Sequence, residues 1–220
     1  MCSNGAVRLP LTLLPLSVGA ILPTAAGARV ITYGSTLRAA ATIAETHPVD
    51  SAFWPVAAPH GRSVRAPRTG QILAIRLKGT ALRHRGRDPV SEVHFQHLRP
   101  RSGGRMLVVQ TSQPLDVPVG GARNTITTFR PENLCVRRGD VIAFDDEGGF
   151  VPSLYPSGTP FRVFGRVPGA RTARYTRGGG TLNGATMAPR VRSREELLMQ
   201  LRLGTGDRVS GACRAFNAQR

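Results

Sequence analysis

Lysine is almost missing from this chain: Lys78 is the only one among 30 basic residues, and arginine supplies the rest. Acidic residues are few as well, 13 in all, so the formal net charge is +17 at pH 7. That balance permits binding to phosphate- or carboxylate-rich polymers. The arginines are nonetheless spread along the sequence rather than massed in one block, and such a bias also follows from a GC-rich genome. Aromatic residues make up only 5%. Single-strand nucleic-acid binders interleave stacking aromatics with their basic residues, so specific nucleic-acid binding is not expected.

Long apolar runs are also lacking. The longest candidate, residues 9–23, is interrupted by Pro10, Pro15 and Pro23 and is shorter than the ~20 residues a spanning helix needs. Arg8 precedes it, and the small residues Ala26, Gly27 and Ala28 follow it, just before Arg29. This is the pattern of a cleaved signal peptide covering residues 1–28. Residues 29–220 then form one domain with no transmembrane segment, secreted to the extracellular space or the cell envelope, and a monomer is expected.

Cysteine is too scarce for a disulfide-stapled scaffold, with three in the whole chain. Removing the signal peptide takes Cys2 away and leaves Cys135 and Cys213. In an exported chain these pair most simply as one disulfide, the alternative being two buried thiols.

What the sequence does contain is short β-rich runs punctuated by glycine and proline. The clearest is LCVRRGDVIAFDDEGGF, residues 134–150. Here Arg137, Arg138, Gly139 and Asp140 make a turn, residues 141–144 make a strand, and an acidic Gly-Gly turn closes the segment. Strands are also expected at 30–33, 51–56, 71–78, 90–98, 105–111, 124–129, 150–155, 161–167 and 172–176, with an edge-like segment at 114–119. Residues 57–70 read as a linker and 39–46 as ambiguous between helix and extended chain. In residues 71–78, Leu73, Ile75 and Leu77 share one face. In VSEVHFQHL, residues 90–98, Val93, Phe95 and His97 share one face, and His94, Gln96 and Leu98 the other. Residues 195–203 fit a helix start, through the Ser193/Glu196 capping-box pattern. They fit a strand better, because Leu197, Met199, Leu201 and Leu203 recur with a period of two. Many short strands with almost no helix signal predict an all-β, antiparallel, jelly-roll-like β-sandwich.

The order of these segments resembles a group of uncharacterised secreted actinobacterial proteins. The residues that carry the resemblance are TYGSTL (32–37), SAFWPVA (51–57), APRTGQILAIRLKG (66–79), NTITTF (124–129), LCVRRGDVIAFD (134–145) and EELLMQLRL (195–203). It implies a jelly-roll-like sandwich and brings no activity or site residue with it.

Catalytic patterns are hard to find. No serine sits in a nucleophile-elbow context, and no pair of acids stands out in an apolar strand for glycoside cleavage. No cofactor is implied. Arg138-Gly139-Asp140 spells an adhesion tripeptide but reads as a turn. His94 and His97, three apart on a strand, point to opposite faces and do not share a metal; they read as surface or half-buried histidines. Asp145, Asp146 and Glu147 lack the alternating pattern of a calcium loop and read as a solvated acidic turn. For ligand binding, Tyr155 is the best exposed aromatic and Trp54 the second candidate. The leading functional expectation is a non-enzymatic binding or structural protein of the cell envelope, with cell-wall or other polysaccharide as partner. The alternatives are a carbohydrate-binding module and a charge-driven binder of anionic polymers.

Overall fold

A computed structural model describes residues 27–48, 50–83, 91–146, 159–177 and 180–219. The expected strand at 150–155, Tyr155, Glu147 and nearly all of the expected signal peptide lie outside the described residues. Fifteen strands and one α-helix are present among those described. In chain order the strands are β1 (Arg29–Gly34), β2 (Ile43–Glu45), β3 (Ser51–Ala57), β4 (Gly70–Lys78) and β5 (Thr80–Ala81). Next come β6 (Glu92–Pro100), β7 (Met106–Thr111), β8 (Leu115–Asp116), β9 (Ile126–Phe129) and β10 (Cys135–Val136). The last are β11 (Val141–Asp146), β12 (Phe161–Tyr175), β13 (Thr186–Met187), β14 (Arg190–Leu197) and β15 (Met199–Thr205), followed by helix α1 (Gly211–Ala218).

The strands pair antiparallel in two sheets. The smaller has the order β1-β15-β4, with β9 and β10 sharing the far edge of β4. The larger runs β13-β7-β6-β11-β3-β12-β14, with β8 beside β6 and β2 and β5 beside β12. The inner faces close on a core that includes Tyr33, Phe53, Ile72, Ile75, Leu77, Val93, Phe95, Ile142, Phe144, Phe161, Phe164, Leu201 and Leu203. This is the all-β sandwich that the alternating apolar pattern predicts.

The larger sheet is buried on both faces, which the pattern did not foretell. Its outer face carries a second cluster built from Ala52, Trp54, Leu98, Met106, Val108, Val141, Ala143, Ala173 and Met187. His94 and His97 therefore point to opposite faces as expected, but both are buried rather than at the surface. Within residues 39–46, Ile43–Glu45 form strand β2 and no residue is helical. Residues 57–70 are a packed connection rather than a free linker, since Val64 and Ala66 are buried and Ala66 bonds the backbone at Asp140 and Gly139.

Two further corrections have local causes. Leu73 does not share the core face with Ile75 and Leu77; Ile72 takes that place. Ala74 pairs with Arg202 but Ile72 with Leu203, so the register slips at Leu73 and the alternation changes phase there. Gly204 leaves the room this requires, because a Cβ on it would come within 2.7 Å of the Leu73 side chain. Second, residues 195–203 are strand, but in two pieces. Leu197, Met199, Leu201 and Leu203 all face the core, yet Leu198 leaves both ladders. Its N–H donates to the Val163 carbonyl of the larger sheet, and its carbonyl accepts from the Lys78 N–H of the smaller.

Helix α1 was not anticipated. Eight residues are too few to be stable alone. Ser210 caps it by accepting from the Cys213 N–H, and Cys213 is bridged to Cys135 with Cα atoms 5.2 Å apart. Cys135, Val209, Cys213 and Phe216 form a small apolar cluster around the bridge. The bridge spans 78 residues, for which loop entropy sets an upper limit of about 4.5 kcal/mol. Cys213→Ser is therefore expected to lower the urea unfolding free energy by up to about that amount. Thiol titration of the wild-type protein after denaturation without reductant should find Cys135 and Cys213 unreactive; two reactive thiols would rule the bridge out.

Candidate functional site

Alternation along SAFWPVA turns Phe53 into the inter-sheet core and Trp54 to the outer face of the larger sheet. There Trp54 lines a groove of about 470 Å³. Val141, Met106 and Val64 contribute further apolar surface, and Val56 and Val191 are partly exposed on it. The turn between β6 and β7 forms another wall. It is closed by the Arg101 N–H donating to the Arg105 carbonyl, and Gly103 and Gly104 adopt the positive φ it needs. Among the described residues, three arginines border the groove, namely Arg65, Arg101 and Arg105, and no carboxylate does. Arg101 and Arg105 are exposed and have no ion-pair or side-chain hydrogen-bond partner among the described residues.

Trp54 is only 2% exposed, so it contributes an edge to the groove rather than an open stacking platform. Tyr33 is in the core, and Tyr175 packs against the outer cluster. Among the described residues no aromatic ring stands exposed on a sheet face.

The Arg138-Gly139-Asp140 turn hides its aspartate. Asp140 accepts from Arg137 N–H at 2.9 Å, bonds His97 Nε2 at 2.5 Å and pairs with Arg99 Nε at 3.3 Å. Burial alone would raise the Asp140 pKa, but the His97 and Arg99 contacts outweigh it and hold the carboxyl below its ordinary value. Burial, with the Asp140 charge adding to it, pushes the Tyr33 hydroxyl far above the usual tyrosine range. The Phe216 ring lies 6.0 Å from the His97 ring, so α1 closes this end of the sandwich. A His–Asp pair is present, with His97 fully buried and Asp140 nearly so. Asp145 and Asp146 are likewise buried on β11 rather than solvated in a turn, and Asp145 accepts from Gln96 Nε2 at 2.9 Å. Among the described residues no group of three His, Cys, Asp or Glu side chains is placed to hold a metal.

The ladder of β12 with β14 gathers arginines that the sequence spreads over tens of positions. Arg166, Arg171 and Arg174 stand on one strand and Arg190, Arg192 and Arg194 on the next. Two carboxylates interleave with them. Arg174 bonds Glu45 at 2.8 Å and Glu195 at 2.7 Å, Arg192 bonds the same two, and His47 bonds Glu45 at 2.6 Å. Sequence reasoning missed this network because Glu45 reaches it from β2; the only visible signal was arginine at every second position in residues 190–194.

Compared with family models, curated proteins and solved structures, the chain gives no match, so fold and site are read from its own residues.

Burial opposes ionisation of Glu45, but the His47 hydrogen bond and the Arg174 and Arg192 guanidinium groups outweigh it and lower its pKa from 4.5 to about 2. A carboxyl with a lowered folded-state pKa stabilises the fold above its unfolded value and loses that contribution as pH falls through the folded one. Stability is thus expected to fall between about pH 4.5 and pH 2. Glu45→Gln should lower stability at neutral pH and flatten this part of the profile, as urea unfolding at a series of pH values would register.

Proposed function

We propose that this chain is an exported binding protein of the cell envelope whose ligand is an acidic polysaccharide seated in the Trp54 groove. The observation that carries this reading is the composition of that groove, an apolar bed bordered by Arg65, Arg101 and Arg105 with no acid among its described lining. Sugar rings present apolar faces suited to such a bed, and guanidinium groups pair with carboxylate substituents. Export rests on the leader-like residues 1–28. Binding is favoured over catalysis because both His–carboxylate pairs are also tied to arginine: Asp140 bonds Arg99 as well as His97, and Glu45 bonds Arg174 and Arg192 as well as His47. The protein acts as a monomer in this reading.

A second reading, attachment to any anionic polymer by charge alone, is favoured by the arginines gathered on β12 and β14.

Co-sedimentation with insoluble cell-wall polysaccharide, titrated with salt and with DNA as competitor, separates the two. A shaped groove should give saturable binding that persists at high salt and ignores DNA. The double variant Arg101→Gln/Arg105→Gln should weaken it about tenfold or more, since two charge-assisted contacts are lost. Binding that collapses with salt and is displaced by DNA would leave charge as its whole basis.

A further inference from the structure

At the end of the larger sheet, where β14 is the last strand among the described residues, β14 leaves its extended path at Arg194, whose φ is +63°. A residue other than glycine adopts that left-handed conformation sparingly. Opposite it, the register of β12 shifts between Arg166 and Arg171, so residues 167–170 face the single residue Arg194. The kink breaks the side-chain alternation of the strand. As a result Arg192, Ser193, Arg194 and Glu195, four consecutive residues, border a single pocket of about 340 Å³ with Arg166 and Ile43.

Arg192 is held in one orientation there. Its Nη1 donates to Glu45 Oε1 at 2.9 Å and to Glu195 Oε1 at 3.3 Å, while 52% of the side chain stays exposed. Neither Nε nor Nη2 has a partner among the described residues, and that edge of a guanidinium is the fork that grips an oxyanion through two parallel hydrogen bonds. Arg166 and Arg194 are exposed and likewise without an ion-pair partner among the described residues. Glu195, the one acid in the lining, is already bonded to Arg174 and Arg192. Across the joined cluster, four guanidinium groups (Arg166, Arg174, Arg192 and Arg194) stand against two carboxylates (Glu45 and Glu195), which leaves two positive charges over.

We propose that this pocket binds a phosphate group, free or as a terminal monoester. Arg192 grips it with its fork, and Arg166, Arg194 and the Ser193 hydroxyl take the remaining oxygens. Three guanidinium groups and a hydroxyl offer more donors than the two oxygens of a carboxylate use, whereas phosphate presents three strong acceptors and close to two negative charges. The site does not depend on the Trp54 groove. Val191 borders that groove, whereas the next residue, Arg192, faces the opposite side of β14.

Calorimetric titration of the mature chain with inorganic phosphate, and separately with glucose 6-phosphate, tests the site at fixed ionic strength set by chloride. Saturable binding of one equivalent of either probe is expected. Arg194→Gly suits the left-handed backbone, so it should melt no lower than the wild-type protein while binding phosphate about tenfold or more weakly, as loss of one charged contact implies. Arg166→Gln should weaken it similarly. Undiminished phosphate affinity in either variant, or binding of neither probe above the chloride background, would overturn the proposal. Because no polysaccharide enters this titration, its result stands apart from that of the groove.

Discussion

Leu198 is the point on which both sheets depend. Backbone N–H and C=O groups inside a protein must be paired, and a strand that passes from one sheet to the other has to exchange partners without leaving either group bare. Leu198 does so in one residue, with its N–H on Val163 and its carbonyl on Lys78. Its side chain packs against Leu37 and Ala41, which seal the crossing from outside. Since β14 and β15 flank this residue, the pairing of β14 with β12 and that of β15 with β4 cannot slide independently. A one-residue slip in either sheet would turn Leu197, Met199, Leu201 and Leu203 out of the core. The slack is taken up where glycine permits it, at the Leu73 bulge facing Gly204 and at the 167–170 bulge carrying Gly169.

The buried charges serve the same end. Ion pairs removed from water lose hydration that their mutual attraction roughly repays, so they are poor indicators of stability, whereas removing one partner costs about 3–5 kcal/mol. Such groups act chiefly against misalignment. Arg174 meets Glu45 from β2 and Glu195 from β14 only in the observed register. Asp140 meets His97 and Arg99 from β6 only if the turn before β11 closes as it does. The first network ties β2, β12 and β14 together, and the second ties β6 to the turn before β11.

The parts of the fold legible in the sequence are those governed by a local period. Alternation in residues 93–97 and 197–203 assigned faces correctly because every second side chain in an extended strand must share one. It failed at Leu73, where a bulge changed the phase, and it could not show that Leu198 divides one apolar run between two sheets. Nor could it show that the outer face of the larger sheet is covered: Trp54 and Leu98 reveal their parity but not what lies over them. Helix α1 escaped notice because its stability comes from Cys213 and Phe216 packing with Cys135 and Val209 rather than from its own eight residues. The candidate sites were less legible still. The groove brings together residues from 54 to 191, and the arginine pocket joins two strands whose register only the folded sheet defines.

Arginine at alternate positions of β14 has a structural reason that needs no ligand. This strand is the outermost of the larger sheet, and an uncovered strand edge invites pairing with another chain; charge along it, or a kink that twists it away, prevents this. Arg190, Arg192 and Arg194 together with the bulge meet that requirement. Edge protection, however, is served by side chains that splay apart into water. It gives no reason for Arg192 and Arg194 to line one pocket with Arg166, nor for Arg192 to be clamped through Nη1 by two carboxylates with its fork left outward. Like charges brought together repel, and repulsion held in place by a left-handed residue is relieved when an anion enters. The edge explains why β14 is charged; it does not explain why those charges converge.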